Sequence, residues 1–240
     1  KEFLHKGHNV VICSKSSKNI REVSAELNTF ENVLPLVIDI QNYNDCKELH
    51  DLTVERFDHV DILINNAATN LNVRQDFLLF DQKEIDTVIG TNLIGLIYCH
   101  TVFLPHMISR NEGVIINVEG SGSRTFDETK GYSLYSCTKA AVTSFTNTIR
   151  QENKDHNVHI CTLSPGMMHT NILWTKNVSN EMKTVFTIFG EYPNIVAKAM
   201  VEEILNIKED KRIEYLTWFK IVQKMMIYIM FKKDEKDPFL

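Results

Sequence analysis

Short apolar runs alternate along the chain with longer segments in which apolar residues recur every three or four positions. The short runs are compact and rich in Val and Ile, which is typical of strands buried in a parallel sheet. They predict strands at residues 9–13, 33–38, 60–64, 114–118 and 158–163, and a shorter one at 213–216.

The longer segments have the 3.6-residue period of amphipathic helices. Residues 1–7 before them predict the end of a helix that is closed by a glycine cap, Gly7. They predict helices at residues 17–30, 45–57 (with Asn44 as N-cap), 83–109, 135–152, 193–207 and 218–231. Strands that alternate with helices indicate βαβ units and a parallel sheet covered on both faces. We therefore expect an α/β fold, a Rossmann-like doubly wound sheet in three αβα layers, and one domain over residues 1–240.

Composition narrows the function classes. The formal net charge of −5 over 240 residues excludes nucleic-acid binding by bulk electrostatics. The five cysteines contain no C-x-x-C pair, so we expect buried free thiols in a reducing compartment and no metal site. The sequence contains no run of ~18 uncharged apolar residues, so we expect no membrane-spanning helix. The chain begins at Lys1, so any targeting segment lies outside it.

Ligands of such sheets bind beyond the carboxyl ends of the strands. Ser14, Lys15 and Ser16 follow the first strand, where dinucleotide folds meet the adenine ribose. A cation between hydroxyls suits a 2′-phosphate and favours NADP(H), although one serine could simply cap the next helix. Asp39, with Ile40 beside it, could accept from an adenine amino group or could equally form a turn.

The third and fifth strands run into segments of small or rigid residues. Small side chains let the backbone pass close to a flat ligand, and a rigid turn can open a loop that covers it. The candidates are Asn66, Ala67 and Ala68 after the third strand, and Pro165, Gly166 and Thr170 after the fifth.

Tyr135 and Lys139 are four residues apart, which places them on one face of a helix. A free phenol has a pKa near ~10, and a neighbouring ammonium should lower it into the range of acid–base catalysis. The alternative is an ordinary pair, with the tyrosine packed and the lysine solvated. Ser121 and Ser123 precede this helix in a flexible turn, and Asn92 lies within the long helix.

Together these residues resemble the short-chain dehydrogenase/reductase family. The residues that carry the resemblance, in the family's order, are Asp39, Asn65, Asn66, Ala67, Asn92, Ser123, Tyr135, Lys139, Pro165 and Gly166. The family usually has Gly at the position of Ala68, which a negative φ would tolerate.

The resemblance implies reduction of a carbonyl by NADPH, with a role for each site residue. Tyr135 would protonate the carbonyl oxygen and Ser123 would donate to it. Lys139 would lower the pKa of Tyr135 and hold the nicotinamide ribose, and Asn92 would keep a water in line for proton resupply.

Residues 10–17, 117–123, 163–167 and 170–173 look like the chlorophyll b reductases of plants and algae. The shared serine of that pattern is Ser123, which favours it over Ser121. This closer resemblance implies reduction of the 7-formyl group of chlorophyll b or chlorophyllide b in a plastid; without it, the expected location is cytoplasmic. The alternatives are reduction of another lipophilic ketone or aldehyde, and a non-catalytic partner subunit that has lost cofactor binding.

Both ends of the chain carry further expectations. The family resemblance implies a first strand and a glycine-rich turn of roughly 20 residues before Lys1, between the strands at 9–13 and 60–64. Residues 217–232 form an amphipathic pattern, which indicates a helix packed on the sheet or on a second subunit of a homo- or hetero-oligomer. A helix lying on a membrane surface is the other interpretation.

Overall fold

The computed structural model describes residues 1–71, 74–124, 130–170 and 180–231. Within these ranges the strands are β1 (Val10–Ser14), β2 (Val33–Val37), β3 (Ile62–Asn65), β4 (Gly113–Val118), β5 (Val158–Ser164) and β6 (Arg212–Glu214). Each overlaps a predicted apolar run, because β-branched side chains pack well on a pleated, buried surface.

The helices are α1 (Glu2–His5), α2 (Ser17–Glu26), α3 (Tyr43–Phe57), α4 (Gln82–Ile89), α5 (Gly95–Arg110), α6 (Ser133–Glu152), α7 (Asn180–Phe189), α8 (Pro193–Leu205) and α9 (Trp218–Phe231). The single helix predicted over 83–109 is interrupted by a π-helical turn, Gly90–Ile94. The predicted N-cap Asn44 was wrong: Asn42 caps α3, and the backbone N–H of Asn44 donates to its side chain.

All strand pairs are parallel, but they form two hydrogen-bonded groups. One group has the order β2-β1, and the other has the order β3-β4-β5-β6. A cleft of about 430 Å³ lies between the edges of β1 and β3 and is lined by side chains of both strands, among them Val10, Cys13 and Ile62. The interruption falls where the family resemblance implies a further strand.

Apolar cores cover both faces of the sheet. Ile115 of β4 packs with Phe103 and Met107 of α5 on one face, in a cluster that also takes in residues of β1 and β2. Its neighbour Ile116 points to the opposite face and packs in a cluster with α8 and β6. The predicted doubly wound arrangement, with helices on both faces of a parallel sheet, is confirmed.

Two smaller findings concern membranes and thiols. The helical run Gln82–Arg110 is long and apolar enough to cross a membrane by composition alone, but half of its most apolar window is buried in the core. All five cysteines are free; three of them are buried, and Cys137 on α6 is exposed.

Candidate active site

Tyr135 and Lys139 lie on the first turns of α6, beside the carboxyl end of β4. Lys139 is 3% exposed, and its Nζ donates to the backbone carbonyl of Val118 at 2.8 Å. The same Nζ lies 5.7 Å from the centroid of the Tyr135 ring. The alternative of a solvated lysine is therefore wrong, because α6 carries the ammonium into the end of the sheet.

Burial sets the protonation of both groups. It lowers the pKa of Lys139 to about 8, although the carboxylate of Glu119 acts in the opposite direction. Burial, together with a smaller effect of nearby Tyr132, raises the pKa of Tyr135 to about 12. The expected net decrease in the phenol pKa was wrong, since desolvation outweighs the effect of the ammonium, which bonds to a carbonyl. Tyr135 is thus protonated at neutral pH, the form that donates a proton.

The turn after β4 approaches Tyr135 closely. A Cβ at Gly120 would collide with the Tyr135 Oη, so only glycine leaves room for the phenol hydroxyl at this point of the turn. The Ser123 Oγ accepts from the backbone N–H of Gly120 at 3.1 Å and donates to the carbonyl of Lys139 at 3.3 Å. Ser123 therefore joins the turn to α6, and its proton points to a backbone carbonyl.

Asn92 is buried in the π-helical turn and holds two other segments. Its Oδ1 accepts from the backbone N–H of Thr69 at 2.7 Å, and its Nδ2 donates to the Thr69 carbonyl at 2.9 Å. The same Nδ2 donates to the Thr138 Oγ1 at 3.1 Å. Asn92 thereby fixes the chain that follows β3 against α6, next to the Tyr–Lys pair.

In the segment after β1, the hydroxyls of Ser14 and Ser16 bond to nearby backbone N–H groups. The Ser16 Oγ caps α2 by accepting from the backbone N–H of Asn19 at 3.2 Å, which confirms the helix-cap alternative for this residue. The Ser14 Oγ accepts from the backbone N–H of Ser16 at 3.2 Å. Lys15 is exposed, and it forms no ion pair within the described part of the chain.

The turn after β2 positions Asp39 and Ile40. Oδ1 of Asp39 accepts from the Gln41 backbone at 3.1 Å, so one oxygen of this carboxylate forms a turn. The Ile40 side chain packs against Gly95 at the start of α5, where a Cβ would meet it at 2.7 Å.

The segments after β3 and β5 have the conformations that close approach of a ligand requires. Asn66 and Ala67 are exposed, and the φ of Ala68 is not positive, so alanine is tolerated there. Pro165 leads into Gly166, whose φ of +73° favours glycine. Thr170 follows, with its N–H donating to the Met168 carbonyl at 2.8 Å.

Two charged residues that sequence reasoning left without a role belong to this site. Glu119 directly follows β4 and is 4% exposed. Its Oε2 accepts from the Arg212 Nε at 2.9 Å and lies 2.7 Å from the Arg212 Nη2. In the sequence, Glu119 could have been noticed as an acidic residue between a buried strand and a glycine turn. Its pairing with Arg212 could not, because the two residues are 93 positions apart in the chain.

A parallel αβα fold with a phenol, a buried lysine and glycine-lined strand ends defines a nicotinamide-dependent oxidoreductase. The family described as short chain dehydrogenase matches residues 1–181, and the chain belongs to this family. The fold of this family binds a nicotinamide cofactor. The partly exposed Tyr135 beside Gly120 and the left-handed Gly166 fit such a ligand.

Among curated proteins the chain is similar to chlorophyll(ide) b reductases. It is 31% identical to the chloroplastic chlorophyll(ide) b reductase NOL of rice over 96% of this chain and 71% of the relative. It is 30% identical to the probable chlorophyll(ide) b reductase NYC1 of Arabidopsis thaliana over 90% of this chain, but spans only 47% of that relative.

Solved structures share the fold at lower identity. A 3-ketoacyl-(acyl-carrier-protein) reductase from Brucella melitensis, complexed with NADH, has a TM-score of 0.78 at 23% identity and covers 90% of this chain and 89% of its own. The closed form of serine dehydrogenase complexed with NADP+ has a TM-score of 0.75 at 23% identity, with coverages of 88% and 86%.

Proposed function

We propose that this oxidoreductase uses NADPH to reduce a lipophilic carbonyl, and that its substrate is the 7-formyl group of chlorophyll b or chlorophyllide b. The observation that carries the proposal is a protonated, partly exposed phenol, Tyr135, which packs against Gly120 and lies beside the ammonium of Lys139. The similarity to plant chlorophyll(ide) b reductases supports the substrate, and their chloroplastic location supports a plastid.

The coenzyme, when bound, supplies the hydride to the carbonyl carbon. Tyr135 then donates its proton to the carbonyl oxygen, which balances the reduction to an alcohol. The ammonium of Lys139 stabilises the phenolate left behind, and solvent restores the phenol proton. Ser123 holds the turn that keeps Gly120 against the phenol.

Lys15 supports NADPH over NADH. It is an exposed cation at the end of β1, between two hydroxyl side chains, and no described carboxylate neutralises it. A 2′-phosphate is dianionic and would pair with such a cation, whereas a free 2′-hydroxyl would gain little. The similar serine dehydrogenase binds NADP+, although the similar ketoacyl reductase was solved with NADH.

A lipophilic substrate is supported by an exposed apolar turn near the phenol. Phe77, Leu78 and Leu79 form a short 3₁₀ turn, and Leu78 is 89% exposed. Phe77 also lines a groove of about 540 Å³ that reaches Ser133, the first residue of α6. An apolar ring system placed on this turn would bring its formyl group towards the start of α6.

A product screen tests the proposal. The chain would be extended before Lys1 by a strand and a glycine-rich turn, and incubated with NADPH and chlorophyll b, chlorophyllide b, or simple ketones and aldehydes. We expect the 7-hydroxymethyl product from the chlorophyll substrates, and none with a Tyr135→Phe variant. Turnover of simple carbonyls but not of the chlorophyll substrates would contradict the proposed substrate and retain the proposed carbonyl reductase activity. NADPH binding without turnover of any carbonyl would favour a non-catalytic subunit.

A further inference from the structure

The turn after β4 is anchored by an ion pair that reaches across the sheet. Glu119 is buried at its start and accepts two contacts, at 2.9 and 2.7 Å, from the guanidinium of Arg212 on β6. The backbone N–H of Glu119 donates to the carbonyl of Leu163 at 2.8 Å. Side chain and backbone thus tie this residue to two neighbouring strands.

Glu119 lies between the two backbone contacts of the catalytic pair. The residue before it, Val118, accepts the hydrogen bond from Lys139. The residue after it, Gly120, faces the hydroxyl of Tyr135. A rotation of the Glu119 backbone would displace both contacts at once, so its anchor controls the geometry of the phenol and the ammonium together.

The pair is also costly to break. Without Arg212 the carboxylate of Glu119 would be buried with no compensating charge, which is strongly destabilising. Arg212 has a second carboxylate neighbour, Glu214, at 3.2 Å, but Glu214 is more exposed. Arg212 therefore supplies the ion pair of the buried Glu119 carboxylate, and it also contacts a second, more exposed carboxylate.

We propose that Glu119, held by Arg212, is a positioning residue that sets the turn against Tyr135 and Lys139. The proposal rests on the proposed function and adds a residue to its site. In the described part of the chain, Glu119 at the end of β4 is the charge on another element that acts on Lys139, and the Tyr135 ring on its own helix lies 5.7 Å from its Nζ. Burial lowers the pKa of Lys139, and Glu119 is the charge that opposes this decrease.

Glu119→Gln, introduced into the chain extended before Lys1 that the product screen uses, tests the proposal through the pH dependence of kcat. Reduction needs a charged Lys139, so activity falls as the pH rises through the pKa of that lysine. Without the carboxylate this pKa decreases further, and we expect the alkaline limb to move to lower pH by about one unit. The matched control is Glu214→Gln, which removes the other carboxylate next to Arg212 and should leave the alkaline limb in place.

An unchanged alkaline limb in a folded Glu119→Gln variant, or an equal displacement in both variants, would overturn the proposal. If Glu119→Gln fails to fold, Arg212→Lys replaces it. A lysine keeps the positive charge but cannot contact the Glu119 carboxylate through two nitrogens as the guanidinium does. We therefore expect kcat to fall about tenfold, because the turn is less well positioned, while the alkaline limb stays in place, because Glu119 is still present. Unaltered kcat in folded Arg212→Lys protein would count against positioning by the pair.

The proton titration of Lys139 can also be followed by NMR in the absence of substrate. A lowered pKa in Glu119→Gln, in a protein that reduces no carbonyl, would refute only the proposed function. An unaltered pKa in a protein that does reduce carbonyls would refute only the role of Glu119.

Discussion

Tyr135 and Lys139 owe their protonation states to burial more than to each other. The pKa of the phenol rises to about 12 and that of the ammonium falls to about 8, both by desolvation of the charged form. The pair therefore rests as a neutral phenol beside a lysine that titrates near physiological pH. This state suits carbonyl reduction, where the phenol must give up its proton and the ammonium must then stabilise the phenolate.

Removal of the phenol hydroxyl should separate chemistry from binding. We expect Tyr135→Phe to abolish turnover while the NADPH dissociation constant stays within about threefold, because the proton is needed only in the reaction. Fluorescence titration with NADPH and a single-turnover assay measure the two quantities. Retained turnover with weakened NADPH binding would contradict the role of Tyr135 as proton donor.

Lys15 should decide between the two coenzymes. We expect Lys15→Asp to weaken NADPH binding about tenfold or more and to leave NADH binding unchanged or improved, because a carboxylate repels a 2′-phosphate. The control is Lys18→Asp, an exposed lysine on α2 that lies 3.8 Å from Glu22. If the unmutated protein has equal Michaelis constants for NADPH and NADH, Lys15 is only a surface charge.

At the scale of elements, α9 turns its polar side inward. The Lys224 Nζ donates to the Gly190 carbonyl and to the Glu191 carboxylate, both at 3.2 Å, and the Lys220 Nζ lies 3.7 Å from the centroid of the Tyr215 ring. The exposed large apolar residues of α9 are Trp218, Phe219, Met225, Met226, Ile227, Ile229 and Met230. Within the described part of the chain these side chains stay exposed, and we propose that a membrane or a second subunit covers them.

We predict that this surface binds lipid. Because Lys220 and Lys224 face the protein, co-sedimentation with vesicles should depend little on the anionic lipid fraction or on salt. A double variant, Trp218→Ser with Ile229→Ser, should lose most of the binding, whereas Gln223→Ser should not. An unmutated protein that stays in the supernatant but elutes as a dimer, and dissociates when the same two residues are changed, would assign the surface to a second copy instead.

At the scale of the whole molecule, the sheet is interrupted between β1 and β3. Their facing edges carry backbone groups that do not pair with each other, around a cleft of about 430 Å³. Unpaired strand edges and unfilled apolar volume both lower the free energy of unfolding. A strand that fills this interruption should therefore make unfolding of the domain much more cooperative.

We expect residues 1–240 alone to show no sharp thermal transition and no stabilisation by NADPH. The chain extended before Lys1 by a strand and a glycine-rich turn should unfold cooperatively, with a Tm that rises with NADPH concentration. Differential scanning calorimetry with and without NADPH makes the comparison. A sharp transition of the 240-residue chain that NADPH raises would show that the interruption is tolerated.

The sequence by itself determined most of the elements, their order and the family, but it missed α7 (Asn180–Phe189) and the interruption of the helix predicted over 83–109. Runs such as Val10–Ser14 and Gly113–Val118 identify themselves locally, because strand and helix periods depend on residues close in the chain. The four-residue spacing of Tyr135 and Lys139 is equally local. Only the tertiary structure decided the burial that reverses the expected pKa change of Tyr135, the pairing of Glu119 with Arg212, and the outward face of α9. Each of these depends on which distant segments meet, and a desolvated charge or an exposed apolar side chain has no signature in neighbouring residues.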